Sequence, residues 1–159
     1  MKKYLILAIV AVTSLLASAE AGDISAGVQF NYGSKHTLMG LGANMVIEPV
    51  NKFRVSPEFV YYFKNNHYEG YNVNLNLHYI IPLHSAQNFY PIAGFSYANY
   101  KYDAGLLGHD GEDHFGANIG VGYEYLINRQ FRFYVEQKFQ VLSKDWNQSV
   151  TTLGLRYTF

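Results

Sequence analysis

The chain has 159 residues, of which 49% are hydrophobic and 17% aromatic, with 15 Tyr, 11 Phe and 14 Gly. Twelve basic side chains balance twelve acidic ones, so the chain lacks the excess of positive charge that a nucleic-acid partner requires. Cysteine is absent, which excludes disulfides, zinc–thiolate sites and cysteine nucleophiles. The length suits one domain, and many aromatic residues favour strands over helices.

The first 19 residues have the features of a secretory signal peptide. Lys2 and Lys3 form a basic start, residues 4–16 are apolar, and Ala17-Ser18-Ala19 is an A-x-A cleavage site. The apolar stretch is too short to be a membrane-spanning helix. We therefore predict cleavage after Ala19, export from the cytoplasm, and a mature domain of residues 20–159.

Eight stretches of the mature chain alternate apolar and polar residues, and this period of two is typical of strands with one apolar face. In the fourth stretch, for example, Val73 and Leu75 alternate with Asn72 and Asn74. No helical period lasts long enough to compete. The predicted strands span residues 23–33, 37–48, 53–63, 70–81, 89–102, 114–125, 131–142 and 149–159.

The connections between these strands form two sets that alternate along the chain. One set comprises residues 34–36, 64–69, 103–113 and 143–148, and the other comprises 49–52, 82–88 and 126–130. An even number of strands with both chain ends on one side is the pattern of outer-membrane barrels. The first set would form the outer loops and the second the periplasmic turns.

The apolar face of such a barrel must point outward. It carries dozens of large side chains, whereas the interior of eight strands holds only side chains or one small ligand. An apolar exterior of this size would aggregate in water, and in lipid a sheet must close so that every backbone group is paired. The sequence therefore predicts an all-β, eight-stranded antiparallel transmembrane up-and-down barrel in which the first strand pairs with the last.

The whole mature chain resembles the small eight-stranded OmpA/OmpX-type outer-membrane barrels of Gram-negative bacteria. In that class the last strand carries an assembly signal, and Thr152, Gly154, Tyr157 and Phe159 match it position by position. The resemblance implies recognition by the barrel-assembly machinery during biogenesis. It also implies an outer-membrane location in contact with lipid and lipopolysaccharide, and a monomer without a cofactor.

Eight charged side chains, four acidic and four basic, are predicted to point into the lumen. Unpaired charges would be costly in a narrow interior of low dielectric constant, so the balance indicates a paired network. Such a network would be a structural plug or, as the alternative, a gate on a narrow ion path. Its predicted members are Glu48, Arg54, Glu58, Glu124, Arg132, Glu136, Lys138 and Arg156.

The third predicted outer loop contains the stretch GHDGEDHFG. Two His and three carboxylates in this stretch suit a divalent cation; the candidates are His109, Asp110, Glu112, Asp113 and His114. The same stretch also suits a solvated loop with turn glycines. We adopt the loop interpretation, and no metal site is predicted.

Some barrels of this size modify lipid A, and such enzymes need a Ser or Asp with a His near the outer rim. Ser149, His36 and His114 lie near the predicted rim, but none belongs to a nucleophile motif. We therefore predict a non-enzymatic protein that acts in envelope integrity or in surface binding through its outer loops. The alternatives are a narrow porin and, less favoured, a lipid A-modifying enzyme. Trp146 is interpreted as a partner contact or an interface anchor.

Overall fold

The computed structural model describes residues 24–65, 67–103 and 109–159. Its elements are β1 (Ile24–Gly33), a 3-10 turn (Lys35–Thr37), β2 (Leu38–Val50), β3 (Phe53–Asn65), β4 (Tyr68–Tyr79), β5 (Ile81–His84), β6 (Gln87–Asp103), β7 (His109–Leu126), β8 (Phe131–Leu142) and β9 (Gln148–Thr158). Within the described ranges, no helix is long and apolar enough to span a membrane. The predicted signal peptide and its cleavage site lie outside the described residues.

The eight long strands form one closed antiparallel barrel. Each pairs with its neighbours in the order β4-β3-β2-β1-β9-β8-β7-β6, and the pairing of β4 with β6 completes the circle. β1 pairs with β9 from Ser25↔Thr158 to Gly33↔Val150. The predicted closure between the first and last strands is therefore confirmed. The short strand β5 was not predicted, because four residues are too few to show an alternating pattern.

The seam between β1 and β9 has hydrogen bonds at both ends. At one end, the Phe159 amide donates to the Ile24 carbonyl at 3.0 Å. At the other end, the Ser34 amide donates to the Ser149 carbonyl at 2.8 Å, and the Ser149 amide donates to the Ser34 hydroxyl at 3.0 Å. Beyond this end, the Lys35 ammonium donates to the Asp145 carbonyl at 2.7 Å. The closing pair of strands is thus held by contacts outside its own ladder.

Side-chain exposure alternates along the strands, and the apolar face points outward, as predicted from the small volume of the interior. Along β4, Asn72, Asn74 and Asn76 are buried, whereas Val73 and Leu75 are exposed. The exterior of the barrel is therefore an apolar band, and the interior is mainly polar. One residue departs from the pattern: Ile47, predicted to face outward, is fully buried, and it directly precedes a register shift between β2 and β3.

We call the two ends of the barrel the loop end, which carries the connections after β1, β3, β6 and β8, and the turn end, which carries the other connections and the C-terminus. Three of the four connections at the loop end are shorter than predicted, and the exception is the connection between β1 and β2. The predicted loop of residues 103–113 is wrong in extent, because β6 and β7 remain paired up to Asp103↔His109. The first pair between β7 and β8 is Gly116↔Leu142, so the β6–β7 hairpin projects beyond β8.

Candidate functional site

The turn end of the lumen contains a network of ion pairs centred on Glu124. Its Oε1 atom lies 2.9 Å from Nη1 of Arg54 and 3.4 Å from Nη1 of Arg132. Its Oε2 atom lies 3.4 Å from Nη1 of Arg156, and Asn88 donates to Oε1 at 2.8 Å. Glu124 is fully buried. One carboxylate therefore contacts guanidinium groups from three strands.

The network continues through Glu136 and Lys138. Nη2 of Arg156 lies 3.3 Å from Oε1 of Glu136, and the Tyr90 hydroxyl donates to the same atom at 2.9 Å. Nζ of Lys138 lies 3.1 Å from Oε2 of Glu136 and 2.7 Å from Oε2 of Glu58. All these side chains are buried, so the pairs are shielded from water and from salt.

Glu48 is the outermost member of the network. Its Oε2 atom lies 3.0 Å from Nε of Arg54, and its side chain is 29% exposed at the turn end. The structure thus brings all eight predicted charged residues into one connected chain of contacts. Antiparallel pairing explains the arrangement, because Arg132 lies opposite Arg156 and beside Leu126. Both arginines therefore reach Glu124 on β7, and Arg156 also reaches Glu136 on β8.

A possible metal-binding group lies inside the network, but the ammonium group of a lysine already occupies its centre. Ligand atoms of Glu58, His78 and Glu136 lie within 4.8 Å of one another. The Lys138 ammonium contacts both carboxylates, and His78 stacks on Tyr90 with 4.8 Å between ring centroids. A divalent ion would have to displace Lys138. Sequence reasoning missed this group, since His78 has no ligand spacing to either glutamate along the chain.

Two inward tyrosines pack against glycines of the neighbouring strands. Tyr90 is the cross-strand partner of Gly122, and Tyr134 is the partner of Gly154. A Cβ atom on either glycine would overlap the tyrosine ring. The guanidinium carbon of Arg156 lies 3.9 Å from the centre of the Tyr134 ring. The glycines therefore leave room for the aromatic rings that support the ion pairs.

Above the charges, the lumen contains a layer of hydrogen-bonded amides. Gln140 donates to Oδ1 of Asn118 at 3.1 Å, and Asn118 donates to Oδ1 of Asn76 at 2.9 Å. Gln148 donates to Oε1 of Gln140 at 2.7 Å and to the Tyr100 hydroxyl at 2.8 Å. The alternating pattern placed Asn76, Asn118 and Gln140 on the polar face, whereas Gln148 fell in a predicted loop. It gave no signal that these residues bond to one another.

The loop end of the lumen holds an apolar cluster beside the buried His114. Trp146 covers it: its ring stacks on Tyr100 with 4.9 Å between centroids, and Nζ of Lys35 lies 4.5 Å above the Trp146 ring. Trp146 is half-buried, so the structure gives it a role as a cover rather than as an interface anchor. The buried side chains below it are Leu38, Val60, Tyr62, Ala98, Tyr100 and Leu142.

The five candidate metal ligands all lie on β7, and this corrects the prediction of a solvated loop for residues 109–113. Nε2 of His114 lies 3.7 Å from Oε2 of Glu112. Asp113 points to the opposite face, where it accepts hydrogen bonds from Tyr97 and Asn99, both at 2.8 Å. These cross-strand bonds explain why the strand persists here. The side chains of the other two candidates, His109 and Asp110, lie outside the described part of the chain.

The residues considered for lipid A chemistry do not form a catalytic group. Ser149 lies on the outer face and accepts a hydrogen bond from Gln137 at 2.6 Å. His114 is buried on the inner face, where its Nδ1 lies 3.0 Å from the Ser143 carbonyl oxygen. His36 stacks on Tyr68 with 3.9 Å between ring centroids, and burial, followed by the charge of Lys35, lowers the pKa of His36. The barrel wall therefore separates Ser149 from His114.

The residues that match the assembly signal divide between the two faces of β9. Thr152 and Gly154 face the lumen, where the Thr152 hydroxyl donates to Oδ1 of Asn31 at 2.7 Å. Tyr157 faces outward, and its ring centroid lies 5.3 Å from that of Phe131 and 5.3 Å from that of Phe159. The last strand thus ends in an aromatic cluster at the turn end.

These features define a small closed antiparallel barrel with an apolar exterior and a filled interior, and solved structures share this fold. The N-terminal β-barrel domain of Pseudomonas aeruginosa OprF is similar, with a TM-score of 0.69 and 15% identity over 88% of this chain and 100% of that one. Neisserial surface protein A (NspA) has a TM-score of 0.64 and 16% identity, over 86% of this chain and 96% of that one.

Ail, the attachment invasion locus protein of Yersinia pestis, is also similar, with a TM-score of 0.58 and 15% identity over 88% of this chain and 100% of that one. At these identities the similarity establishes the fold. The shared fold confirms the resemblance to small eight-stranded outer-membrane barrels. No known family profile matches the sequence, and no curated protein is similar to it in sequence.

Proposed function

We propose that the protein is a non-enzymatic, integral outer-membrane protein of a Gram-negative bacterium, with a structural role in the envelope. The exposed aliphatic and aromatic band requires lipid around it. Phospholipid and lipopolysaccharide are therefore its proposed surroundings. The loop end would face the exterior and the turn end the periplasm, after export and cleavage behind Ala19.

The observation that carries this proposal is the continuous filling of the lumen. Ion pairs occupy the turn end, amides the middle, and an apolar cluster under Trp146 the loop end. A porin needs a continuous path for water, and among the described residues side chains of all three layers occupy the lumen, with apolar side chains most numerous at the loop end. The porin alternative is therefore less well supported, and so is the enzyme, because its candidate residues are separated.

Surface binding is the second candidate function, and the β6–β7 hairpin favours it. Residues Asn99, Lys101, Glu112 and Asp113 lie on the part of the hairpin that projects beyond β8. The other described connections at the loop end are short. A partner at the cell surface would therefore contact mainly this hairpin.

We expect the purified protein to give no steady conductance in planar lipid bilayers, because the lumen is filled. A deletion strain should show increased envelope permeability to detergents, with the same lipid A mass spectrum as the parent strain. Complementation with a chain whose hairpin is shortened should restore the permeability barrier if the role is structural. A large steady conductance would instead favour the porin, and an altered lipid A spectrum would favour the enzyme.

We also propose that the barrel-assembly machinery recognises the last strand through Thr152, Gly154, Tyr157 and Phe159. Deleting Phe159 should lower the folded, heat-modifiable fraction in cells severalfold, because the terminal aromatic residue would be missing from the signal. Phe159→Tyr keeps an aromatic end and is the matched control. Spontaneous refolding of the deletion variant into vesicles should stay close to that of the wild type. An equal loss in cells and in vesicles would indicate a stability effect instead of recognition.

A further inference from the structure

Four side chains from three strands meet inside the lumen around the ammonium group of Lys138. Glu58 lies on β3, His78 on β4, and Glu136 and Lys138 on β8. Ligand atoms of Glu58, His78 and Glu136 lie within 4.8 Å of one another, and all four residues are at most 3% exposed. We call Glu58, His78 and Glu136 the Glu58–His78–Glu136 site.

The ammonium group contacts the two carboxylates of this site but makes no hydrogen bond to its histidine. Nζ of Lys138 lies 2.7 Å from Oε2 of Glu58 and 3.1 Å from Oε2 of Glu136. Among the described residues, neither ring nitrogen of His78 has a hydrogen-bond partner, and the same is true of Oε1 of Glu58. An unpartnered polar group is costly when it is buried. The site therefore offers more ligand atoms than its present cation uses.

The neighbours of His78 hold its ring in place without bonding to its nitrogens. The ring stacks on Tyr90 with 4.8 Å between ring centroids, and the Tyr90 hydroxyl donates its only proton to Oε1 of Glu136. Arg54, the cross-strand partner of His78, is bound to Glu124. Both neighbouring donors are thus committed elsewhere, and an imidazole nitrogen remains available to an ion.

Two carboxylates and one imidazole are suitable ligands for a divalent transition-metal ion. Zinc binds histidine nitrogen and carboxylate oxygen at about 2.0–2.2 Å, so the ligands of a tetrahedral zinc lie about 3.4 Å apart. Ligand atoms within 4.8 Å of one another reach that spacing by small side-chain rotations. Calcium and magnesium prefer a shell made of oxygen atoms, with six or more ligands. The imidazole therefore favours zinc or a similar transition metal.

We propose that the Glu58–His78–Glu136 site binds a divalent transition-metal ion of the zinc type in exchange for the ammonium group of Lys138. The ion joins β3, β4 and β8 across the lumen, whereas the ammonium joins only β3 and β8. Because the ammonium is tethered beside the site, it competes with the ion and weakens its binding. This site does not depend on the structural role proposed above.

Equilibrium dialysis of the purified, folded protein against Zn²⁺, followed by metal analysis, tests the exchange. Lys138→Gln removes the competing charge, so it should bind one Zn²⁺ per chain at least about tenfold more tightly than the wild type, a usual size for coupling between two ligands. Adding His78→Phe should abolish this binding, because phenylalanine keeps a ring but has no nitrogen. Adding His114→Phe is the matched control, since His114 is equally buried but lies on β7. It should leave the binding unchanged.

The folding of Lys138→Gln is a second measurement, because this change leaves two buried carboxylates without their ammonium partner. Refolding into lipid vesicles is followed by heat modifiability with and without Zn²⁺. Zn²⁺ should raise the folded fraction of Lys138→Gln, and the same concentration of Ca²⁺ should not. The double variant with His78→Phe should gain nothing from Zn²⁺.

Three results would overturn the site. The first is that Lys138→Gln neither binds Zn²⁺ nor folds better in its presence. The second is that the wild type binds Zn²⁺ as tightly as Lys138→Gln, so that the ammonium does not compete. The third is that His114→Phe rather than His78→Phe removes the binding, which would place the ion on β7.

Discussion

Replacing Glu124 with leucine is expected to lower the free energy of unfolding by about 3–5 kcal/mol, because breaking buried ion pairs leaves uncompensated charge. Arg54, Arg132 and Arg156 all lose a carboxylate partner that is itself fully buried. The measurement is reversible urea unfolding of the barrel in lipid vesicles, followed by far-ultraviolet circular dichroism and by heat modifiability on gels.

Glu48 offers a matched control for Glu124. It contacts the same Arg54, but its side chain is 29% exposed. Glu48→Leu should therefore cost no more than about 1 kcal/mol, as expected for a pair that water can replace. A double change of Glu124→Leu with Arg156→Met should cost less than the sum of the two single changes, because the residues share one network. Strictly additive energies, or equal losses for Glu124 and Glu48, would show that the charges are not coupled through burial.

Replacing Gly154 with alanine is expected to cost about 1–3 kcal/mol, the range for overpacking a closely packed interior. The added Cβ atom would overlap the Tyr134 ring. That ring cannot move aside freely, because its hydroxyl donates to Oε1 of Gln29 at 2.8 Å and Arg156 lies over its face. The same unfolding titration measures the loss.

Gly111 is the control for Gly154, since a Cβ atom there would make only ordinary contacts with Lys101 and Asn99. Gly111→Ala should change stability by no more than about 0.5 kcal/mol, as at most surface sites. Combining Gly154→Ala with Tyr134→Leu should recover part of the loss, since the smaller side chain leaves space. If that combination recovers nothing, the overlap with Tyr134 is not the cause.

The faces of the barrel could be predicted from sequence because a period of two is local information. Asn72 and Asn74 on one side, with Val73 and Leu75 on the other, fix the orientation of β4 without any knowledge of its neighbours. The charged residues of the lumen follow from the same alternation, and charge balance indicates that they pair. The closure of β1 on β9 follows from the physical demand that a sheet in lipid has no edge.

The remaining features depend on which strands are neighbours, and no single stretch of sequence contains that information. β7 begins at His109 because Asp113 bonds to Tyr97 and Asn99 on the adjacent strand, although its glycines and charges suggest a loop. Trp146 covers the lumen because the fold brings Lys35 and Tyr100 beside it.

The contacts at the two ends of the β1–β9 seam have a consequence for how the barrel could open sideways. Strand pairs usually unzip by fraying from a free end. Here the Phe159 amide clamps one end to Ile24, and Ser34 and Ser149 clamp the other. A lipid or peptide that left the lumen through this seam would have to break these terminal hydrogen bonds before the first hydrogen-bonded pair between β1 and β9. The pairing of β1 with β9, which closes the barrel, is thus protected against fraying at both of its ends.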